Sequence, residues 1–595
     1  MKKSILFILT VALTFFSCDD LLSPADENFK DPSQMYDDTG FAQGLLMHTY
    51  RMIPAYYNNT EYATDDAVTN QLGNDLLNMA TGSWASANSP SSVNLWARAY
   101  GAIQQINLFL ENVDDVNWAM DEEASKLFAT RMKGEAYGMR ALFMYYLVRN
   151  HSGFTEDGRL LGVPVFKDHL DISSDFNQPR ATFADCIEHI LEDLRMAEEL
   201  LPLEFEDISS DSQIPTRYQS ITNKYPVYNR VMGAYSRGLF NGLAARSFRS
   251  RVTLLAASPA FEDASNTATW ATAANSAASV LSHINGVSGM DNNGVAYYVK
   301  AMVDQATEGA NPKEIVWREN LTPVSNNNTN SINQEINNFP PSLYGNGQMN
   351  PSKNLVDAFP MANGYPISDV TNSGYDASNP YAGRDPRLAT YIIYNGNTAG
   401  TSNAQILTGS QSGNDGIMSA LTTATRTGYY MKKRLRMDVN ANPSSYSRQP
   451  QYTPRIRYTE IFLNYAEAAN EAWGPTGSGG NGYSAYDVIK AIRTRAGVGT
   501  NNGDPYLEEC KNDQIKMREL IRNERRLELC FESFRFWDLR RWKSNLNEPV
   551  LGTDASNGYS TFSVESRVYE SYMNYGPIPH SEILKYNNLV QNKGW

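Results

Sequence analysis

The chain is poor in the residues that do chemistry. Six histidines serve 595 residues, and His48, His151, His169, His189, His283 and His580 are scattered without an HExxH or any paired spacing. That gives a zinc site no footing in the sequence. There is no GxSxG nucleophile elbow and no Walker-type loop. Four cysteines are present, and beyond Cys18 the remaining Cys186, Cys510 and Cys530 are an odd number, so no complete disulfide framework exists. Cys186 and Cys530 sit in apolar stripes and read as small buried hydrophobes. Positive charge is also short, 51 Lys and Arg against 65 Asp and Glu for a net of −14. Without a basic stripe to release phosphate counterions, nucleic acid is not an expected partner. An acidic surface disfavours strongly anionic ligands over most of its area. No cofactor is expected, and whether a metal orders the central loops is not legible.

Long hydrophobic runs are missing too. Ile5 to Phe16 is apolar for about a dozen residues, too few to cross a ~30 Å bilayer core. It follows Met1-Lys2-Lys3 and ends at Ser17-Cys18-Asp19-Asp20, the layout of a secretory signal cut before a lipidated cysteine. Residues 1–17 are therefore expected to be a lipoprotein signal peptide, Cys18 the lipidation site and 18–32 a tether. Acyl chains on one cysteine give membrane attachment with no spanning helix. Removing Lys2 and Lys3 with the signal takes the formal charge from −14 to −16.

What the chain does contain is ample apolar material, 42% hydrophobic and 11% aromatic. It is longer than the ~250–300 residues one core usually holds, so several domains or an extended repeat architecture is expected. The pattern predicts a mainly α protein of stacked helical hairpins with a loop-rich region bearing short strands. Helical scaffold is expected at about 33–284 and 454–545, a loop-rich insertion at about 285–450, and an irregular C-terminal segment at 546–595. Predicted helices include 131–149, Phe183–Leu201 capped by Thr182, 241–257, 270–284, 483–496 closed by Gly497, and Pro454–Trp473 with Pro454 in its first turn. Residues 314–317 and 390–394 are strand candidates.

Gly477 to Gly482 matches GxGxxG by letter, but a helix rather than a strand precedes it, and the match is accidental. The densest charged segment, Arg522 to Trp542, carries Glu524, Glu528, Glu532 and Asp538. A glycosidase would use two such carboxyls as acid and nucleophile, set apart to flank a sugar. Each, however, has an arginine one to four residues away, the pattern of an ion-pair network between packed helices. The binding candidates are aromatics outside helices, Trp84, Tyr297, Tyr298 and Tyr344, with Asp65, Asp66 and Asn70 to hydrogen-bond sugar hydroxyls.

With these residues in view, the chain resembles the SusD/RagB family of Bacteroidota surface lipoproteins. The resemblance rests on Cys18–Pro24, Lys133–Tyr146 followed by Gly162-Val163-Pro164, Arg457–Ala468, Ile492–Gly497, Glu524–Trp542 and Pro577–Trp595. It implies a fold of degenerate tetratricopeptide repeats and an outer-membrane lipoprotein facing the cell exterior. It further implies a non-catalytic lid that captures oligosaccharide and delivers it to a SusC-like TonB-dependent transporter. The family's ligand loops vary and give no residue-by-residue transfer. A surface glycoside hydrolase, or a lid for peptide or host ligands, are the alternative readings.

Overall fold

The computed structural model describes residues 36, 38–306, 309–324 and 330–595. Cys18, the signal 1–17 and the tether 18–32 lie outside them. The scaffold helices are α1 Thr39–Met52, α2 Trp96–Asn112, α3 Glu122–His151, α4 Phe183–Leu200, α5 Gly242–Ala257, α6 Trp270–Leu281, α7 Tyr458–Trp473, α8 Ala485–Ala496, α9 Gln514–Glu528 and α10 Arg535–Arg541. From α1 to α7 each helix packs on the one before and the one after, and α7 also receives α8 and α9. The stack is thus continuous in space although residues 282–457 separate α6 from α7.

Local chemistry sets the helix ends. Asp121 accepts a hydrogen bond from the Ala124 amide at the start of α3, with Glu122 and Glu123 in the first turn and Arg149 and His151 in the last, matching the helix dipole. Thr182 caps α4, Asn241 α5, Thr269 α6, and Ser484 with Asp487 forms a capping box on α8. Gly497 closes α8 at φ 85°, a left-handed conformation open to glycine. Small residues let the layers approach: a Cβ on Gly138 would lie 2.1 Å from the Phe240 ring.

The expected helix at Pro454 starts later. Pro454–Arg457 is a strand antiparallel to Ile315–Arg318, and α7 begins at Tyr458. Proline tolerates a strand that pairs on one side only, so its helix-start preference yielded to pairing. Of the two strand candidates, the first is Ile315–Arg318, whereas the second is split between a helix, Pro386–Tyr391, and the two-residue strand Ile392–Ile393. Helix α3 runs nine residues earlier than the predicted start at Arg131 because Asp121 is its cap.

Among the described residues two large apolar cores form, with smaller clusters beside them. The larger lies along the helix stack. The second draws on residues 62–93, 332–441 and 527–573, so the segment after α1 joins the loop-rich chain rather than the helices. Between them runs a buried ion-pair network. Arg387 bonds Glu524 and Glu528, Arg493 bonds Glu524 and Asp504, Arg495 bonds Glu528, and Arg457 and Lys433 share Glu532. Burial alone would raise the Glu528 carboxyl, but Arg495 and Arg387 hold it down to about 2.

Candidate functional site

The residues singled out from sequence fall into an anchor, a clamp and one exposed ring. Asp65 accepts from Arg535 Nε at 2.9 Å and Arg526 Nη2 at 2.9 Å, and Asp66 from Arg526 Nε at 2.7 Å. Burial alone would raise Asp65, yet the two guanidiniums hold it well below the usual carboxylate range. For Asp66 burial wins and pushes the carboxyl up. Both acids are thus held in ion pairs with Arg526 and Arg535. They fix the start of β1, Ala67–Thr69, which pairs antiparallel with β2, Met349–Pro351.

Asn70 leaves β1 and clamps a second loop. Its Nδ2 donates to the Asn346 carbonyl at 2.8 Å and the Gly347 carbonyl at 3.0 Å. Asn350 Nδ2 donates to the same Gly347 carbonyl at 2.7 Å, and Arg426 Nη1 donates to Thr69 O at 2.9 Å. Gly347 sits at φ 51°, where a Cβ would meet Thr423 O at 2.3 Å, so loop 419–424 is close behind. The Ser342 amide donates to Asp415 Oδ1 at 2.8 Å, tying in the same segment further upstream.

Tyr344 rides on this wiring. It closes a single 3₁₀ turn, Pro341–Leu343, at φ 64°, and its side chain is exposed (56%). Positive φ is uncommon for a bulky aromatic, and here the backbone amides around it are bonded: Tyr344 N to Pro341 O, Gly345 N to Pro340 O, Asn346 N to Ile336 O. Leu72, on the loop after β1, and Met418 and Leu421, on the loop behind Gly347, are exposed as well. The face so formed offers one flat ring, scattered apolar side chains and the exposed amides of Gln71 and Asn346. Sequence reading missed Leu72, Met418 and Leu421; the available signal was a large apolar residue in an otherwise polar loop, single at Leu72 and grouped as Ile417, Met418 and Leu421.

Three predicted aromatics are corrected. Trp84 is not an exposed platform: its ring packs against Trp595, Phe536 and Tyr569 with centroids 4.8, 6.2 and 6.5 Å away, and its Nε1 donates to Ser89 Oγ. Tyr297 and Tyr298 lie in a small core with Ile315 and Tyr452. The Tyr297 hydroxyl pairs with that of Tyr57 at 2.9 Å, and its carbonyl accepts from Tyr452 at 2.6 Å. Loop location did not mean exposure, because these loops fold onto cores of their own. Glu524, Glu528, Glu532 and Asp538 are all buried in ion pairs. Among the described residues no group of three His, Cys, Asp or Glu side chains is placed to hold a metal ion, and no helix is long and apolar enough to cross a membrane.

Comparison with known proteins agrees along most of the chain. Residues 313–595 match the model of the SusD family, and residues 36–218 match one described as starch-binding associating with outer membrane. SusD-like protein P38 of Formosa agariphila is 22% identical over 573 residues, covering 93% of this chain and 94% of that one. SusD-like protein P2 of the same organism is 30% identical over 141 residues, a match that spans only a quarter of its length. A SusD-like protein of Bacteroides fragilis superposes with a TM-score of 0.70 at 21% identity, covering 96% of this chain and all of that one. A SusD-like carbohydrate binding protein of the same species gives 0.67 at 21% identity, with 93% and 99% coverage. At these identities the structural likeness is one of fold. The chain belongs to the SusD/RagB family.

Proposed function

We propose that this protein is a non-catalytic glycan-binding lipoprotein of the outer membrane, anchored through Cys18 and facing outward. It captures oligosaccharide and delivers it to a SusC-like TonB-dependent transporter. The observation that carries the reading is the exposed Tyr344 ring, held at positive φ on a loop that Asn70 and Asn350 pin in place. An exposed ring on a held backbone, beside exposed amides, suits a sugar, whose C–H face stacks while its hydroxyls take hydrogen bonds. Local strain retained in a loop whose amides are bonded is the kind of feature that points to a binding role. The relative described as a carbohydrate binding protein and the family model described as starch-binding support the same ligand class. The locked carboxylates of 524–538 favour capture over hydrolysis.

The test is affinity electrophoresis of the soluble form, starting at Asp19, through a panel of plant, fungal and host polysaccharides, with reducing ends assayed in parallel. Retardation by one glycan without new reducing ends is expected. New reducing ends would replace this reading with a hydrolase, and no retardation by any glycan would shift it to peptide or host ligands.

A further inference from the structure

Away from the loop face, a cavity of about 70 Å³ opens where α3, α5, α7 and α10 meet. One water needs roughly 10–15 Å³ on such a measure, so the space is several times larger. Three carboxylates stand on its wall, and all are engaged. Glu460 takes Arg251 through both oxygens, Asp538 accepts from Arg525 and Arg541 at 2.8 Å each, and Glu532 is held by Arg457 and Lys433.

Arg149, also on the wall, differs. Among the described residues no carboxylate lies within ion-pair distance of it; its Nε donates to Asn150 Oδ1 at 3.1 Å, and its other polar neighbour is the uncharged Tyr145 hydroxyl. Its guanidinium stacks 3.9 Å from the Trp537 ring centroid and 4.8 Å from that of Tyr146. Burial pushes its pKa down, as expected of a cation with no nearby counter-charge. Trp537 lines the same cavity, and its indole N–H is buried without a hydrogen-bond partner. A buried donor left unpaired is costly, and such groups call for an explanation.

A charge and a donor short of acceptors, beside an empty volume of this size, define the ligand chemistry. It must carry negative charge, present several acceptor oxygens and be no larger than a single small group. We propose that this cavity binds a small oxyanion, a carboxylate or sulfate group, beside the stacked pair, at the free edge of the Arg149 guanidinium and within reach of the Trp537 indole N–H. The guanidinium fork supplies paired N–H donors of the geometry that such groups accept. The group is either a free ion or the acidic substituent of a sugar. The inference stands apart from the Tyr344 face and does not depend on glycan binding there.

The experiment is calorimetric titration of the soluble protein with sodium sulfate and with sodium glucuronate, against sodium chloride at matched ionic strength. Crystals soaked in selenate locate the ion by anomalous scattering. Sulfate is expected to bind where chloride does not, with selenate density within hydrogen-bond reach of Arg149 and Trp537 Nε1. Arg149→Met should weaken binding about tenfold or more, the loss of a charged hydrogen-bond partner. Should that variant not fold, Trp537→Phe keeps the stacked ring, removes the N–H and must also weaken binding. Glucuronate binding assigns the site to an acidic sugar; sulfate binding alone assigns it to a free ion. Sulfate no better than chloride, selenate density only elsewhere, or unchanged affinity in Trp537→Phe would each overturn the proposal.

Discussion

Arg387 reaches from the loop-rich chain to place Nη1 2.8 Å from Glu524 and 2.9 Å from Glu528, so one guanidinium spans a full turn of α9. Asp385 accepts from its other side. Every group in this cluster is almost fully buried, and its balance depends on all members being present. Arg387→Met is expected to cost about 3–5 kcal/mol, because it strands carboxylates in a dry interior. Urea unfolding followed by circular dichroism measures it, and a loss below about 1 kcal/mol would mean that water reaches the cluster.

Tyr344→Ala should weaken binding of the captured glycan roughly tenfold, the scale of a lost aromatic stack. Because the ring is exposed, its removal should leave stability within about 0.5 kcal/mol. Unchanged retardation in the affinity gel would remove Tyr344 from the site.

Trp84→Ala should behave the opposite way. The ring fills a core pocket among Trp595, Phe536 and Tyr569, and truncation is expected to cost about 3–5 kcal/mol. A melting temperature equal to that of the unmutated protein, with glycan affinity lost, would restore Trp84 as a ligand residue.

His151 makes the C-terminal segment sensitive to acid. Its Nδ1 lies 2.7 Å from the Pro577 carbonyl, an acceptor only, so this nitrogen carries the proton and donates. Burial lowers its pKa from 6.5 to about 4. Below pH 6.5 the unfolded chain binds a proton that the folded one refuses until about pH 4, so this residue makes stability fall as pH drops through that window. The loss is on the order of 3 kcal/mol. Comparing unfolding midpoints at pH 7 and pH 4.5 for the native protein and His151→Asn isolates it; an equal pH slope in both proteins would show that His151 titrates normally.

Cys18→Ala should move the protein from the membrane fraction to the soluble fraction while its unfolding midpoint stays the same. Membrane attachment that persists in this variant would dismiss the lipid anchor.

The helices were legible because their information is local. Thr182, Asn241 and Gly497 announce ends within one turn, and the 3.6-residue stripe of α7 needs no partner to be seen. Pro454 misled because a strand is defined by its neighbour, here Ile315–Arg318 far upstream. The roles of Asp65 and Asp66 were hidden for the same reason: Arg526 and Arg535 lie more than 450 residues away. Polar neighbours made Trp84, Tyr297 and Tyr298 look exposed, yet side-chain burial depends on what folds over a loop rather than on the loop's own composition. Tyr344 alone among the aromatic candidates has the predicted exposure, since its turn is closed by Pro340 and Pro341 and faces outward.

The gap between α6 and α7 bears on how the molecule is made. Leu281 and Tyr458 belong to neighbouring helices, but residues 282–457 must be synthesised between them. Closing so long a loop costs only about 1.5RT per unit of ln n, a few kcal/mol more than closing a short turn. The burden is one of time: contacts this distant in sequence form slowly. A nascent chain ending before α7 holds the first six helices with one apolar face of α6 still waiting. That face is covered only when the second half of the chain arrives and closes the stack.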